Sequence, residues 1–330
     1  MQVDSPDMIR NVALTGHSQC GKTTLASGLL YTSGAVNRFT KVDDQNAVTD
    51  FDPEEHQRGI SINLAPCFVP WRDHKINLLD CPGYGIFFSD TRAGMRAGDA
   101  TLLCVSAVAG IEVNTEKIWD FAEKIEQPVL FYLSKMDRER ADFDRTVEQL
   151  RERFSRGVTP IQIPVGRESE FAGIVDLIEG KAYRFEPEGD GKGTAEEIPE
   201  ELADSAEEWR DQLIELVAET DDELLEAFFE EGTLSDDQLR QGLRRAVAAR
   251  QVFPLTVGSG LRNQGSGPLL DDLVDLAPSP VDRGSFPALD REGSAIEIGS
   301  EASEPAAALV FKTLNDPFSG KISMFRVARG

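Results

Sequence analysis

Five short apolar runs constrain the fold of this chain more than any other feature: NVALTG (11–16), KINLLD (75–80), TLLCVSA (101–107), PVLFYLS (128–134) and FPLTVGS (253–259). They are too short for helices and lack the polar alternation of a strand with one wet face. Such runs are strands buried on both sides, the signature of a parallel sheet covered by helices. Helical patterns follow four of them: KTTLASGLLYTSG, TEKIWDFAEKI, FDRTVEQLRERF and GPLLDDLVDL. Strand, loop and helix repeated in this way predict a doubly wound α/β fold with a mostly parallel sheet.

The regularity breaks between about 160 and 250. There a β-like piece gives way to acidic helices, after which the sheet resumes at FPLTVGS. Residues 1–280 are therefore expected to form one α/β domain carrying an inserted α+β subdomain at about 160–250. Residues 281–304, rich in Pro, Gly, Ser and charge, read as a linker. In 305–330, AAALVFKTL and KISMFRVARG read as two strands joined by a turn, NDPFSG. Two strands cannot bury a core alone, so a second, β domain is expected to begin here and the chain to be a truncated one.

The net charge of −24 is unevenly placed: residues 186–240 hold 21 Asp and Glu against 3 Lys and Arg, a local net of −18. That segment repels nucleic acid, so it reads as a solvated acidic subdomain or as a face for a basic protein. No apolar run spans a bilayer, and the N-terminus lacks a signal-peptide pattern. Cys20, Cys67, Cys81 and Cys104 show no paired spacing. They read as thiols of a reducing compartment; a cytoplasmic, monomeric protein without membrane contact is expected.

Gly16-His17-Ser18-Gln19-Cys20-Gly21-Lys22-Thr23, followed by Thr24, fits G-x-x-x-x-G-K-[ST] directly between a strand and a helix. The glycines let backbone N–H groups wrap a phosphate, Lys22 neutralises its charge, and Thr23 is placed to ligate Mg²⁺. Asp80-Cys81-Pro82-Gly83 closes a second strand, as a candidate γ-phosphate sensor with Asp80 reaching Mg²⁺ through water. In 50–63, Ser61 is the candidate for a second Mg²⁺ hydroxyl.

The base is read at Ser134-Lys135-Met136-Asp137, which ends the fourth apolar run. A carboxylate there accepts both N1–H and N2–H₂ of guanine, donors adenine does not present together, and the Lys135 methylenes cover the purine plane. Ser259-Gly260-Leu261 after the last run is placed to offer N–H groups to guanine O6. The four motifs close strands on one sheet edge, in an order that specifies GTP and GDP with Mg²⁺.

The set GHSQCGKTT, QRGISI, DCPGY, SKMD and GSGL, with an insertion between the last two, resembles the translational GTPases, closely the elongation factor G group. AGMRAGDATLLCVSAVAGIEVNTEKIW is similar to the group's second switch helix and following strand. FKTLNDPFSGKISMFRVARG is similar to the opening of its β-barrel second domain. The resemblance is weakest over 186–250. It implies a P-loop GTPase fold, three further C-terminal domains, and GTP hydrolysis on the ribosome driving translocation or recycling; the partners would be ribosomal proteins and RNA, reached largely through those further domains.

Three positions depart from the group: Tyr84 stands where it has the histidine that positions the attacking water, Ser134 where it has Asn, and Ser61 where it has Thr. Tyr84 is thus the catalytic position, and a neutral phenol there implies slow intrinsic hydrolysis. A GTP-binding module with little turnover, or a ribosome-protection or release-factor-type GTPase, are the alternatives. Serine is expected to be too short for the contacts that Asn makes to guanine N7 and to the phosphate loop, and Ser61 keeps the hydroxyl.

Overall fold

The computed structural model describes residues 1–330 apart from Met1, Gln2, Asp4, Gln45, Phe51, Ala302 and 317–319. The middle of the expected NDPFSG turn, and Phe51 of the 50–63 segment, lie outside the described residues.

The centre is a seven-stranded sheet. In chain order its first six strands are β1 (Ile9–Gly16), β2 (Ala65–Trp71), β3 (His74–Asp80), β4 (Ala100–Ser106), β5 (Val129–Ser134) and β6 (Val158–Pro160). In space the order is β2-β3-β1-β4-β5, then the later strand Phe253–Val257, then β6. All neighbours are parallel except the β2–β3 hairpin. Each of the five apolar runs occupies an interior strand, and β4, β5 and Phe253–Val257 are buried along their whole length. The mostly parallel α/β fold expected from the sequence is the fold observed.

β2 has no counterpart in the sequence reading, because Pro66 and Pro70 interrupt APCFVPW. The structure resolves this: β2 is an edge strand, where a residue without an N–H is tolerated, and Pro66 faces Leu79 while Pro70 faces Lys75. The hairpin turns at Arg72 and Asp73, both at positive φ (44° and 62°), matching the twist of the strands it joins.

Helices α1 (Lys22–Thr32), α2 (Pro53–Arg58), α3 (Phe88–Ala97), α4 (Val113–Lys124) and α5 (Phe143–Arg153) precede the insertion. The insertion holds an antiparallel sheet of β7 (Gln162–Val165), β8 (Gly173–Asp176), β9 (Lys181–Arg184) and β10 (Thr194–Glu196). Its helices are α6 (Ala203–Ala218), α7 (Asp222–Glu231) and α8 (Asp236–Ala248). A single residue, Ile161, separates β6 from β7, so the insertion grows out of the edge of the main sheet. The chain then returns as β11 (Phe253–Val257) and continues into α9 (Ser266–Leu276) and α10 (Pro280–Arg283). Among the described residues no helix is long and apolar enough to cross a membrane.

The stretch expected as a linker carries a short hairpin, β12 (Phe286–Leu289) with β13 (Ala295–Ile298), before the long hairpin β14 (Ala307–Asp316) with β15 (Gly320–Arg329). Turn residues at 290–294 bend it, with Asp290 Oδ1 accepting from Glu292 and Ser294 N–H at 2.8 Å. Composition concealed it, since Gly, Ser and charge mark turns and unstructured links alike.

The long hairpin is fastened to the main sheet by a buried ion pair. Arg326 Nη2 lies 2.6 Å from Asp99 Oδ1, whose side chain is fully buried, and Arg326 Nη1 donates to Ala97 O at 2.8 Å. Asn11 Nδ2 donates to the other Asp99 oxygen at 2.7 Å, and the Arg283 and Arg326 guanidiniums both lie over the Phe286 ring. Removing one member of such a pair strands the other without solvent. Asp99→Ala is therefore expected to cost about 3–5 kcal/mol, read as a lowered urea midpoint and faster proteolysis within 280–330.

Candidate functional site

Strand order positions the site. β1 has β3 on one side and β4 on the other, and the loops leaving their carboxyl ends diverge to form a crevice where open α/β sheets bind ligands. A cavity of about 320 Å³ opens there.

The phosphate loop forms its floor. Gly16 has φ +143°, and a Cβ on it would fall 2.3 Å from Cys104 O; Gly21 has φ +100°. Gly21 is also the N-cap of α1 and brings no capping side chain. The first-turn N–H groups, with the positive end of the helix, are left to an anion. Lys22, 5 % exposed, donates from Nζ to His17 O at 2.8 Å.

Two segments close over this floor. Thr23 Oγ1 and Ser61 Oγ stand 3.2 Å apart. Ser61 is held by a residue that sequence reasoning missed: Glu55, 1 % exposed, whose Oε1 accepts from Ile62 N–H at 2.7 Å and Asn63 N–H at 2.8 Å. Its signal was Asp52-Pro53-Glu54-Glu55, a capping box that starts α2. Asp80 Oδ2 accepts from Thr49 Oγ1 at 2.9 Å, while its buried Oδ1 has no hydrogen-bond partner among the described residues. Two hydroxyls and an orphaned carboxylate oxygen make a hard-oxygen donor set that fits a small divalent cation.

Gly83 meets the phosphate loop, and Asn114 Nδ2 donates to its carbonyl. Tyr84, 38 % exposed, stands at the cavity mouth beside Ser18. Behind it the His17 imidazole lies 3.2 Å from a Glu112 carboxylate oxygen.

On the base side, Lys135 at φ +63° turns the chain, and Asp137 and Lys135 face the cavity opposite Ser259, Gly260 and Leu261. Ser134 departs from expectation. Its hydroxyl donates to Cys20 O at 2.6 Å and approaches Val105 O at 3.1 Å, so serine does reach the phosphate loop, although its hydroxyl is spent there.

Of the residues expected from sequence, Ser18–Thr24, Ser61, Gly83, Tyr84, Ser134, Lys135, Asp137 and 259–261 line one cavity. Gly16, His17, Asp80, Cys81, Pro82 and Met136 lie behind its wall. Cys81 donates to Leu79 O, Pro82 O accepts from Thr91, and Met136 N–H donates to Gly258 O. Gly59 and Ile60 line it from within QRGISI, and Val42, Asp50 and Arg138 also line it, with no sequence signal beyond lying near the motifs.

Residues 7–279 match the Elongation factor Tu GTP binding domain family. The chain belongs to that family. A crystal structure of the ttk003000868 protein from Thermus thermophilus is similar over 98 % of this chain, at 34 % identity and a TM-score of 0.86. This chain covers 46 % of that protein, about half its length. The chain thus carries a translation-factor-type GTP-binding domain, and the cavity lies at the carboxyl ends of its parallel strands.

Burial raises the Asp80 carboxyl from its ordinary 3.8 to about 6, against the pull of Lys22 and the Thr49 and Thr23 hydroxyls. An acid with a raised folded-state value holds its proton more tightly folded than unfolded. Its stabilising contribution is full below 3.8 and is lost as pH rises through about 6. Thermal unfolding of the nucleotide-free chain should therefore show Asp80→Asn gaining on the parent between pH 4 and 6, by on the order of 2–3 kcal/mol, with a constant gap above. Parallel curves would show that Asp80 does not carry that proton.

Proposed function

We propose that this chain acts as the GTP switch of a ribosome-acting factor of the elongation factor G group, as a divergent paralogue. Residues 1–280 would be the P-loop GTPase domain, with its inserted subdomain at about 160–250. Residues 281–304 would lead into a β-barrel whose first strands lie in 305–330.

The reading rests on one observation above the rest: phosphate loop, Ser61 segment, Gly83 and both base loops line a single cavity. Lys22 takes the phosphate charge, Gly83 N–H meets the γ-phosphate, and Lys135 and Asp137 read guanine. Thr23 and Ser61 would hold Mg²⁺, with Asp80 behind them; the ion would supply charge neutralisation at the β- and γ-oxygens. GTP would order the 40–62 and 80–96 segments, and hydrolysis would release them.

Tyr84 is the position that sets the rate. Its phenol donates one hydrogen bond to a water at the cavity mouth but cannot place the positive charge of an imidazolium near the developing charge. Turnover by the isolated protein is slow on this account. Ribosomal proteins and RNA are the partners of a cytoplasmic monomer, with the acidic insertion facing a basic protein.

A GTP-binding ribosome module with little turnover is favoured by the same residue. Ribosome-stimulated GTP hydrolysis by the natural full-length protein, compared with Tyr84→His, separates the two. Strong stimulation of the parent, changed less than about threefold by histidine, supports the enzyme. No stimulation until histidine is installed, with a gain of about 100-fold or more, supports the module. Rapid turnover without ribosomes would overturn the role given to Tyr84.

A further inference from the structure

The two base-reading loops are held from outside by the insertion, and Arg262 is where the contacts meet. From the loop between β7 and β8, Glu168 Oε1 accepts from Arg140 N–H at 2.7 Å, and Ser169 O accepts from Arg262 Nη1 at 3.2 Å. From the loop between β9 and β10, Glu188 N–H donates to Arg262 O at 2.7 Å, and Gly189 O accepts from Asn263 Nδ2 at 2.9 Å. Arg262 N–H also donates to Ser259 Oγ at 3.3 Å.

So fixed, Arg262 places Nε 3.5 Å from Asp137 Oδ2, a carboxylate only 5 % exposed. Arg138 comes within 3.9 Å of the same oxygen. Its guanidinium is 56 % exposed and makes no hydrogen bond among the described residues, so it is screened and unanchored.

Guanine presents N1–H and N2–H₂ side by side, and a carboxylate accepts both only when its plane faces the base edge. The carboxylate torsion is broad on its own. An anchored guanidinium on Oδ2 narrows it, and a carboxylate has lone pairs enough for the base as well.

Resting on the assignment of Asp137 to guanine, we propose that Arg262 is a positioning residue for base selection. It holds the Asp137 carboxylate in the plane of the guanine donors, and two loops of the insertion in turn hold it. Base recognition in this chain is thereby made dependent on a subdomain outside the nucleotide cavity.

Equilibrium binding of GDP, IDP and XDP to the purified chain tests this. Hypoxanthine keeps N1–H but lacks the 2-amino group, so a carboxylate free to turn loses more with GDP than with IDP. Arg262→Ala is expected to weaken GDP about tenfold and IDP less than about threefold. Arg262→Gln gives the same comparison should alanine not fold. Equal losses for GDP and IDP would mark Arg262 as merely structural, and tighter GDP binding would mark it as a competitor of the base; either overturns the proposal. Asp137→Asn tests the underlying assignment separately, because an amide donor there should shift preference from GDP to XDP. If that shift is missing, the assignment of Asp137 fails whatever Arg262 does.

Discussion

The site depends on one close approach of backbone to backbone. A Cβ at Gly83 would lie 2.6 Å from Lys22 Nζ and 2.7 Å from His17 O, distances that no side chain tolerates. Glycine alone lets the loop after β3 press on the phosphate loop after β1. The parallel β1–β3 pairing makes this possible, because Leu14 faces Asp80 and both strands deliver their loops at the same height. Lys22, the Thr23 hydroxyl and Gly83 are consequently gathered at one point without any long side chain ordering them. Their arrangement is inherited from strand register rather than built from flexible parts.

Much of this was legible because it is written in local pattern. Runs buried on both faces mark interior strands, and glycines at fixed offsets mark the loops that such strands feed. What stayed hidden depends on tertiary context. β2 is broken by Pro66 and Pro70 and makes sense only once it is known to be an edge. Glu55 looks like an ordinary helix-start carboxylate, yet its second oxygen organises Ile62 and Asn63 by hydrogen bonds to backbone N–H groups. Ser134 seemed too short for its place, and how near the Cys20 carbonyl comes cannot be read from residue type. The grip of loops 166–170 and 186–192 on Arg262 links residues 74 to 93 positions apart, beyond any local signal.

The contacts by which the accessory parts reach the 40–62 and 80–96 segments differ in strength, and burial decides which matter. Lys41 pairs with Glu188 of the insertion at 2.6 Å, but the two side chains are 33 % and 58 % exposed. Such a pair contributes about 0–1 kcal/mol and fades with salt. It ties the 40–62 segment to the insertion only loosely.

The long hairpin is coupled differently. Lys312 donates to Leu64 O, directly after the loop that Glu55 fixes, and Arg326 binds Ala97 O at the end of α3. α3 starts four residues beyond Tyr84, so one hairpin touches the far ends of both the 40–62 and the 80–96 segments. Arg326 and Asp99 are buried, and water cannot replace either partner at low cost. A shift of α3 must then carry β15 with it or open that pair, whereas a shift of the 40–62 segment can leave the insertion behind. On the proposed switch role, a mechanical message from the nucleotide would travel by the buried route, through the hairpin, in preference to the acidic insertion.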